Sequence, residues 1–173
     1  MDQLPWLRHY DPGVPATIGT YPQRTLLDYI DDTLRERPEA PAVLFKGRRI
    51  AWRALAEQSD AFACALAAMG VTRGDRVAVL LPNCPQFFVV EWAVWKLGAT
   101  LVPLNPIYSE DELVGPMTTS RPKVIITLST FYDRVKGAQR RVPGVAHVVS
   151  TSIKEWLPPL LRAVFTLALE RRG

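Results

Sequence analysis

The stretch that decides the fold is residues 70–106, GVTRGDRVAVLLPNCPQFFVVEWAVWKLGATLVPLNP. Over residues 76–81, Arg76 is followed by a continuous apolar run that includes two valines and shows no alternation, which predicts a strand covered on both faces. A helix should follow, with Asn83 as its N-cap and Pro85 in its first turn, and should run to Leu97. Residues 99–102 predict a second buried strand. Strand, helix and strand in this order form the repeating unit of a parallel α/β sheet.

The beginning of the chain predicts an arm followed by a helix. Residues 1–22 contain four prolines and no long apolar run, so they are expected to form an irregular arm. Over residues 26–34, leucine and isoleucine recur at helical spacing, and Thr25 is placed to cap the helix. We expect the ordered part of the domain to begin near residue 23 and to extend to residue 151.

A hairpin and an amphipathic helix are predicted between this first helix and the central stretch. Residues 42–45 and 49–52 are strand candidates, joined by a tight turn at Lys46-Gly47. Apolar residues over 55–69 step by three and four, as on one face of a helix. Gly70 occupies the position where a left-handed residue ends a helix.

Further strands and helices follow residue 106. Residues 109–112, SEDE, form a capping box that opens a helix, which Gly115-Pro116 is expected to distort. Residues 123–128 and 146–150 are two more strand candidates. Because strands and helices alternate, we predict right-handed crossovers and an α/β fold with a mostly parallel sheet flanked by helices.

Residues 152–173 form an amphipathic C-terminal segment with leucines at helical spacing and basic residues at its end. One interpretation is a helix that packs on the domain, since such apolar stripes are usually core. The alternative is a segment that contacts a membrane surface or forms an acyl-chain entrance.

Composition excludes several classes of protein. The net charge of +4 is mild, and the basic residues form no dense stripe of the kind that nucleic-acid binding favours, so no nucleic-acid partner is expected. The apolar runs are shorter than the roughly 20 residues of a membrane-spanning helix, and the N-terminus lacks the apolar core of a signal peptide.

Cys64 and Cys84 are interpreted as small core residues in a reducing cytosol. The expected location is therefore cytoplasmic.

No phosphate-binding loop is present in the sequence, which contains neither GxGxxG nor GxxxxGK[ST]. Gly70 and Gly74 bracket a turn that leads into a strand, which is the wrong order for a phosphate cradle. Asn83 lies after the carboxyl end of a strand, where α/β proteins tend to bind ligands, but helix capping alone would explain it.

Candidate acid, base and nucleophile residues also have simpler interpretations. Asp31 and Asp32 are adjacent and do not face a common point. Glu91 is flanked by aromatic residues and is expected to pair with a basic neighbour or to lie at the helix edge. His147 has no recognisable partner, and no serine lies in a nucleophile elbow. We therefore predict no catalytic, cofactor-binding or metal-binding residue in this chain.

Several motifs resemble those of the adenylate-forming, or AMP-binding, enzymes. Residues 50–57 (IAWRALAE) are similar to the motif that opens the first helix of these enzymes, and residues 95–106 (WKLGATLVPLNP) to their second core motif. Residues 74–79 and 81–87 are also typical of the family. The arm at residues 6–15 and the segment SIKEWLPP at 152–159 resemble bacterial long-chain fatty-acid–CoA ligases.

The resemblance implies the N-terminal part of a large synthetase domain. Such enzymes join a carboxylate to AMP from ATP with Mg²⁺ and then transfer the acyl group to coenzyme A. Their phosphate-gripping loop, adenine-contacting motif, Mg²⁺-binding glutamate and catalytic lysine belong to segments absent from this sequence. We therefore expect a fatty-acid–CoA ligase fragment that is inactive alone. The alternative is a stand-alone, non-catalytic module that binds a partner or a membrane surface.

Overall fold

The computed structural model describes residues 4–168. In chain order, its helices and strands are α1 (Leu26–Glu36), β1 (Pro41–Phe45), β2 (Arg48–Ala51), α2 (Trp52–Ala68), β3 (Arg76–Leu80), α3 (Pro85–Lys96), β4 (Thr100–Pro103), α4 (Glu110–Ser120), β5 (Val124–Leu128), α5 (Tyr132–Arg141), β6 (His147–Thr151) and α6 (Pro159–Ala168). Short 3-10 helices cover Pro5–His9, Ser129–Phe131 and Ile153–Trp156.

Four strands form a parallel sheet in the order β4-β3-β5-β6. The central pair, β3 and β5, aligns Val77 with Val124 and Leu80 with Thr127. The connections pass from β3 outward to β4 and then back across β3 to β5, so the order reverses between β3 and β5. The predicted α/β class and the mostly parallel sheet with flanking helices are confirmed.

Helices cover both faces of this sheet. Alternate side chains of the central strands point to opposite faces, and since both sets are apolar, both faces must be buried. Val77 and Val79 of β3 pack with α2 and α3 in one apolar cluster. Ala78 and Leu80 belong to a second cluster with α4 and α5. Burial on both sides explains why β3 and β5 read as continuous apolar runs.

The hairpin β1–β2 and α1 pack outside the main sheet in a third apolar cluster, which includes Ile50, Leu55 and Trp92. Lys46 and Gly47 both have positive φ, 49° and 84°, which is the geometry of a tight two-residue hairpin turn. Thr25 caps α1 in a reciprocal capping box with Asp28. The turn, the cap and the helix that starts at residue 26 follow the sequence prediction.

Asn83 is not the N-cap of α3. Cys84 occupies that position and makes no side-chain capping bond, while Pro85 starts the helix as expected. The exposed Asn83 therefore lies one residue outside the helix, in the turn after β3. Proline at the first helical position fixes the helix start without help from a polar cap.

One further expectation was wrong. The exposed Cys64 is not a core residue, since Ala63 and Leu66 form the buried face of α2 and Cys64 lies on its outer side; Cys84 is buried.

The helix α4 runs through Gly115 and Pro116 without ending there, with Leu113 and Met117 buried on either side of them. Packing of these two side chains against the sheet holds the helix together where proline removes one hydrogen bond.

Three helical segments were not predicted from the sequence: α5 and the 3-10 helices Pro5–His9 and Ser129–Phe131. The helix α5 buries only Val135 and Ala138, and the arm contains the 3-10 helix Pro5–His9 instead of being wholly irregular. The C-terminal helix α6 begins at Pro159, and the predicted segment beyond residue 168 lies outside the described residues. Within residues 4–168, no helix has the length and apolar character needed to cross a membrane.

Candidate functional site

The carboxyl end of the sheet is the first place to look for a site. In open α/β sheets, ligands bind beyond the carboxyl ends of strands at the point where the strand order reverses. Here that point lies between β3 and β5. The loops beyond these strands contain Asn83 and Ser129, both exposed, and the loop beyond β6 contains Ser152.

The Asn83 side chain makes no interaction within the fold that would explain an asparagine at this position. Asn83 does not cap α3, so helix capping does not explain an asparagine at this position, and contact with a ligand stays open to it. Its side chain makes no hydrogen bond with any other residue in the described part of the chain. Asn83 is thus a free amide at the edge of the sheet where ligands collect.

Gln86 joins the first turn of α3 to the loop after β6. Its side-chain Nε2 donates a hydrogen bond to the Ser152 carbonyl oxygen at 2.9 Å. The residue is 5% exposed, and its Oε1 has no hydrogen-bond partner among residues 4–168. A buried amide with one bonded end fixes the loop after β6 against α3, at the cost of one unsatisfied acceptor.

A groove of about 430 Å³ runs along the sheet face beside β6. It is mainly apolar, with Phe62, Val89, Ile126, Val149 and Trp156 among its walls and Gln86 and Glu155 among its polar groups. Such a volume falls in the range of small-molecule pockets, roughly 300–1,000 Å³. The groove also lies beside β6, which has no strand partner on its outer side within the described residues.

Glu91 and Cys84 have raised pKa values because both are partly removed from water. Burial alone raises the pKa of the Glu91 carboxyl, and burial raises that of the Cys84 thiol against weaker hydrogen bonds from the Phe87 and Gln86 backbone. A thiol with a raised pKa is a poor nucleophile. Of the two alternatives expected for Glu91, a basic partner is not found among residues 4–168, and the half-buried position of the side chain beside a groove leaves the helix-edge alternative.

Among the remaining candidates, Asp32 and Glu112 have structural partners, whereas Asp31 and His147 are exposed. Asp32 pairs with Arg24 and with Arg35, which lies 2.9 Å away, whereas the adjacent Asp31 is exposed. Glu112 completes the capping box with Ser109, and this bonding lowers the pKa of its carboxyl. His147 is exposed at the start of β6.

Sequence reasoning missed two features. One is the salt bridge between Lys123 and Asp75, which joins segments 48 residues apart at the amino end of the sheet. The other is a groove of about 340 Å³ near Glu91, walled by aromatic residues from α1, α2 and α3. Only the aromatic spacing in α3 could have indicated the second, because the other walls come from distant segments.

The described residues hold no cluster of the kind that binds a metal ion. No group of three or more histidine, cysteine, aspartate or glutamate side chains is placed to hold a metal ion within residues 4–168. The one serine hydroxyl bonded to a lysine in that part of the chain, Ser59 at 2.6 Å from Lys96 Nζ, lies in the middle of α2, away from the carboxyl edge of the sheet. The carboxyl edge offers the neutral polar side chains of Asn83, Ser129 and Ser152.

Comparison with known proteins identifies the family. The family model described as AMP-binding enzyme matches residues 30–162. The long-chain-fatty-acid–CoA ligase of Bacillus subtilis (strain 168) is 31% identical over 156 residues, which covers 90% of this chain and 28% of that protein. The corresponding ligase of Haemophilus influenzae is 30% identical over 153 residues, covering 88% of this chain and 27% of that protein.

Solved structures agree with this result. A putative long-chain-fatty-acid CoA ligase from Rhodopseudomonas palustris is similar with a TM-score of 0.69 and 26% identity, covering 79% of this chain and 37% of that one. The chain thus spans little more than a quarter of the length of the curated relatives it matches. On the evidence of its fold, its motifs and the family match over residues 30–162, the chain belongs to the AMP-binding enzyme family.

Proposed function

We propose that this chain is the N-terminal scaffold of a long-chain fatty-acid–CoA ligase. The whole enzyme would use ATP and Mg²⁺ to convert a fatty acid to its acyl-AMP and would then transfer the acyl group to coenzyme A. The observation that carries the proposal is 30–31% identity to two long-chain ligases over 88–90% of the chain.

We further propose that the chain alone is inactive. Activation of a carboxylate by ATP requires donors around the phosphates, and the sequence contains neither of the common glycine-rich phosphate loops. The described residues also lack a metal-holding cluster. Asn83, Ser129 and Ser152 supply neutral polar groups, which can orient a ligand but cannot neutralise a triphosphate.

Two measurements test these proposals. The DNA beyond codon 173 should encode a Ser/Thr/Gly-rich loop that ends in lysine, and the protein made from the whole frame should show palmitate-dependent ATP–pyrophosphate exchange. The 173-residue chain should show none under the same conditions. Exchange by this chain alone would refute its inactivity, and a whole-frame protein that folds but fails to exchange would refute the ligase assignment.

The alternative function, a non-catalytic module for a membrane surface or partner, has one specific observation in its favour. The helix α6 exposes four apolar side chains, with exposed fractions of 76% for Leu160, 44% for Leu161, 52% for Val164 and 57% for Leu167. Amphipathic helices with basic neighbours bind at lipid interfaces, and Arg48 and Arg162 flank a cavity at the start of this helix.

We therefore propose a cytoplasmic protein that contacts membranes peripherally through the C-terminal segment, residues 152–173. Co-sedimentation with vesicles of phosphatidylglycerol and phosphatidylcholine should be lost when Leu160 and Val164 are both replaced by serine. The matched control is Thr118→Ser with Thr119→Ser, two exposed changes on α4. Equal binding by both variants would exclude α6 as the contact surface.

A further inference from the structure

A second concave surface lies on the opposite side of α3 from the sheet. Phe88, Glu91, Trp92 and Trp95 follow one another at i, i+3, i+4 and i+7, so they form a single stripe along this helix. The stripe forms one wall of the groove of about 340 Å³. We call this surface the Glu91 groove.

The other walls come from three separate elements. The helix α1 contributes Tyr29, α2 contributes Trp52 from its first turn, and the hairpin contributes Val43. Trp52 and Trp92 stack with their ring centroids 5.6 Å apart and an interplanar angle of 18°. Five aromatic residues from three helices therefore line the same groove as the Glu91 side chain.

The Glu91 carboxyl has no counter-charge in this setting. It has neither a hydrogen bond nor a salt bridge with another residue in the described part of the chain, and partial burial raises the pKa of its carboxyl. Arg24, which contacts the ring of Tyr29 at 4.4 Å, is already paired with Asp32. A partly desolvated carboxylate without a counter-charge is unfavourable, and a bound cation would remove that penalty.

We propose that the Glu91 groove binds a small organic ammonium ion. Its charge would pair with the Glu91 carboxylate, and its alkyl groups would contact the rings of Trp52, Trp92 and Trp95. Aromatic surfaces attract cations through their quadrupoles, and quaternary ammonium groups are recognised by clusters of such rings. The volume lies at the small end of ligand pockets, which suits a compact ion.

Other ligands fit the groove less well. Mg²⁺ and Ca²⁺ need about six oxygen ligands, whereas this groove offers one carboxylate among aromatic and aliphatic walls. A neutral apolar molecule would fill the space but leave the Glu91 charge unpaired. The proposal does not depend on the ligase function, because the groove lies outside the carboxyl edge of the sheet.

Titration of the full chain with choline tests the proposal. Three of the five tryptophans line the groove, so tryptophan fluorescence should report its saturation by choline. The heat of binding gives an independent measure of the same saturation. The matched control ligand is 3,3-dimethylbutan-1-ol, in which carbon replaces the charged nitrogen of choline. We expect the neutral alcohol to bind at least about tenfold more weakly, because it gains no charge pairing or cation–π attraction.

Two variants separate binding from folding. Glu91→Gln keeps the shape of the side chain and should weaken choline binding about tenfold or more, while its melting temperature stays equal or rises because a desolvated charge is gone. Glu57→Gln, an exposed change on α2, should leave binding unchanged. Trp95→Leu should weaken binding even though Glu91 remains.

Several results would overturn the proposal. The first is that choline does not saturate the groove at millimolar concentrations. The second is that the neutral alcohol binds as tightly as choline, and the third is that Glu91→Gln binds choline as tightly as the unsubstituted protein. Tighter binding of N-acetylarginine amide than of choline would also overturn it, since the groove would then fit a basic side chain of a polypeptide. None of these results affects the ligase proposal, which depends on the exchange assay.

Discussion

The Lys123 ammonium lies 3.1 Å from the Asp75 carboxylate and joins the residue before β5 to the turn before β3. The same ammonium donates to the Gly70 carbonyl oxygen. Asp75 also accepts a hydrogen bond from the Thr72 backbone N–H at 2.9 Å. This small network fixes the amino ends of the two central strands.

Asp75→Asn should reduce the acid sensitivity of the fold. The Thr72 backbone bond, followed by Lys123, lowers the pKa of Asp75 below its value in the unfolded chain. Its stabilising contribution is therefore complete above the unfolded pKa, about 3.9, and is lost as the pH falls through the folded pKa. Urea unfolding from pH 7 to pH 3 should show a steeper loss of stability for the unsubstituted protein than for Asp75→Asn. Asp31→Asn, an exposed change on α1, should leave that slope unchanged.

Ser109→Ala should destabilise the fold by about 1 kcal/mol through loss of the N-cap of α4. The Ser109 hydroxyl accepts from the Glu112 backbone N–H, and the Glu112 carboxylate accepts from the Ser109 backbone N–H at 2.8 Å. Thr118→Ala, an exposed change on the same helix, should cost less than roughly half as much. Denaturant titration measures both, and equal effects would show that the capping box is not a significant source of stability.

Leu113→Ala should destabilise the fold by about 2–5 kcal/mol, because Leu113 is fully buried between α4 and the sheet. The matched change Leu160→Ala removes the same atoms from a residue that is 76% exposed. It should shift the free energy of unfolding by no more than about 0.5 kcal/mol. A large loss in both variants would mean that α6 packs on the rest of the protein.

We expect the isolated chain to aggregate through β6. Unpaired apolar strand edges promote association, and β6 has no outer partner strand within residues 4–168. Ser150→Lys adds a charge at an exposed position of this strand and should slow the concentration-dependent rise in light scattering. Thr118→Lys adds the same charge on α4 and should not. A sharp, monomeric unfolding transition in the unsubstituted chain would contradict this prediction.

Local chemistry explains what could be predicted from the sequence. The strands β3 and β5, the turn at Lys46-Gly47 and the capping boxes at Thr25 and Ser109 each depend on residues close in the chain. The weakly patterned α5 was missed because only Val135 and Ala138 are buried in a helix dominated by charged and polar residues.

The site features were harder to predict because they depend on packing between distant segments. The sequence pointed to Asn83 and Glu91, yet it assigned a capping bond to the first and either a basic partner or the helix edge to the second. The position of Cys84 as the N-cap and the approach of Tyr29 and Trp52 to Glu91 decided both cases. Neither can be inferred from residues near in the chain.

The strand order also determines when the sheet can form during synthesis. Val77 in β3 aligns with Val124 in β5, 47 residues later, so β3 has a free side until β5 has left the ribosome. At about 5–20 residues per second, that interval lasts roughly 2–9 s. Throughout this interval, the nascent chain exposes the apolar strand β3 without its partner β5. An exposed apolar strand of this kind is what ribosome-associated chaperones bind.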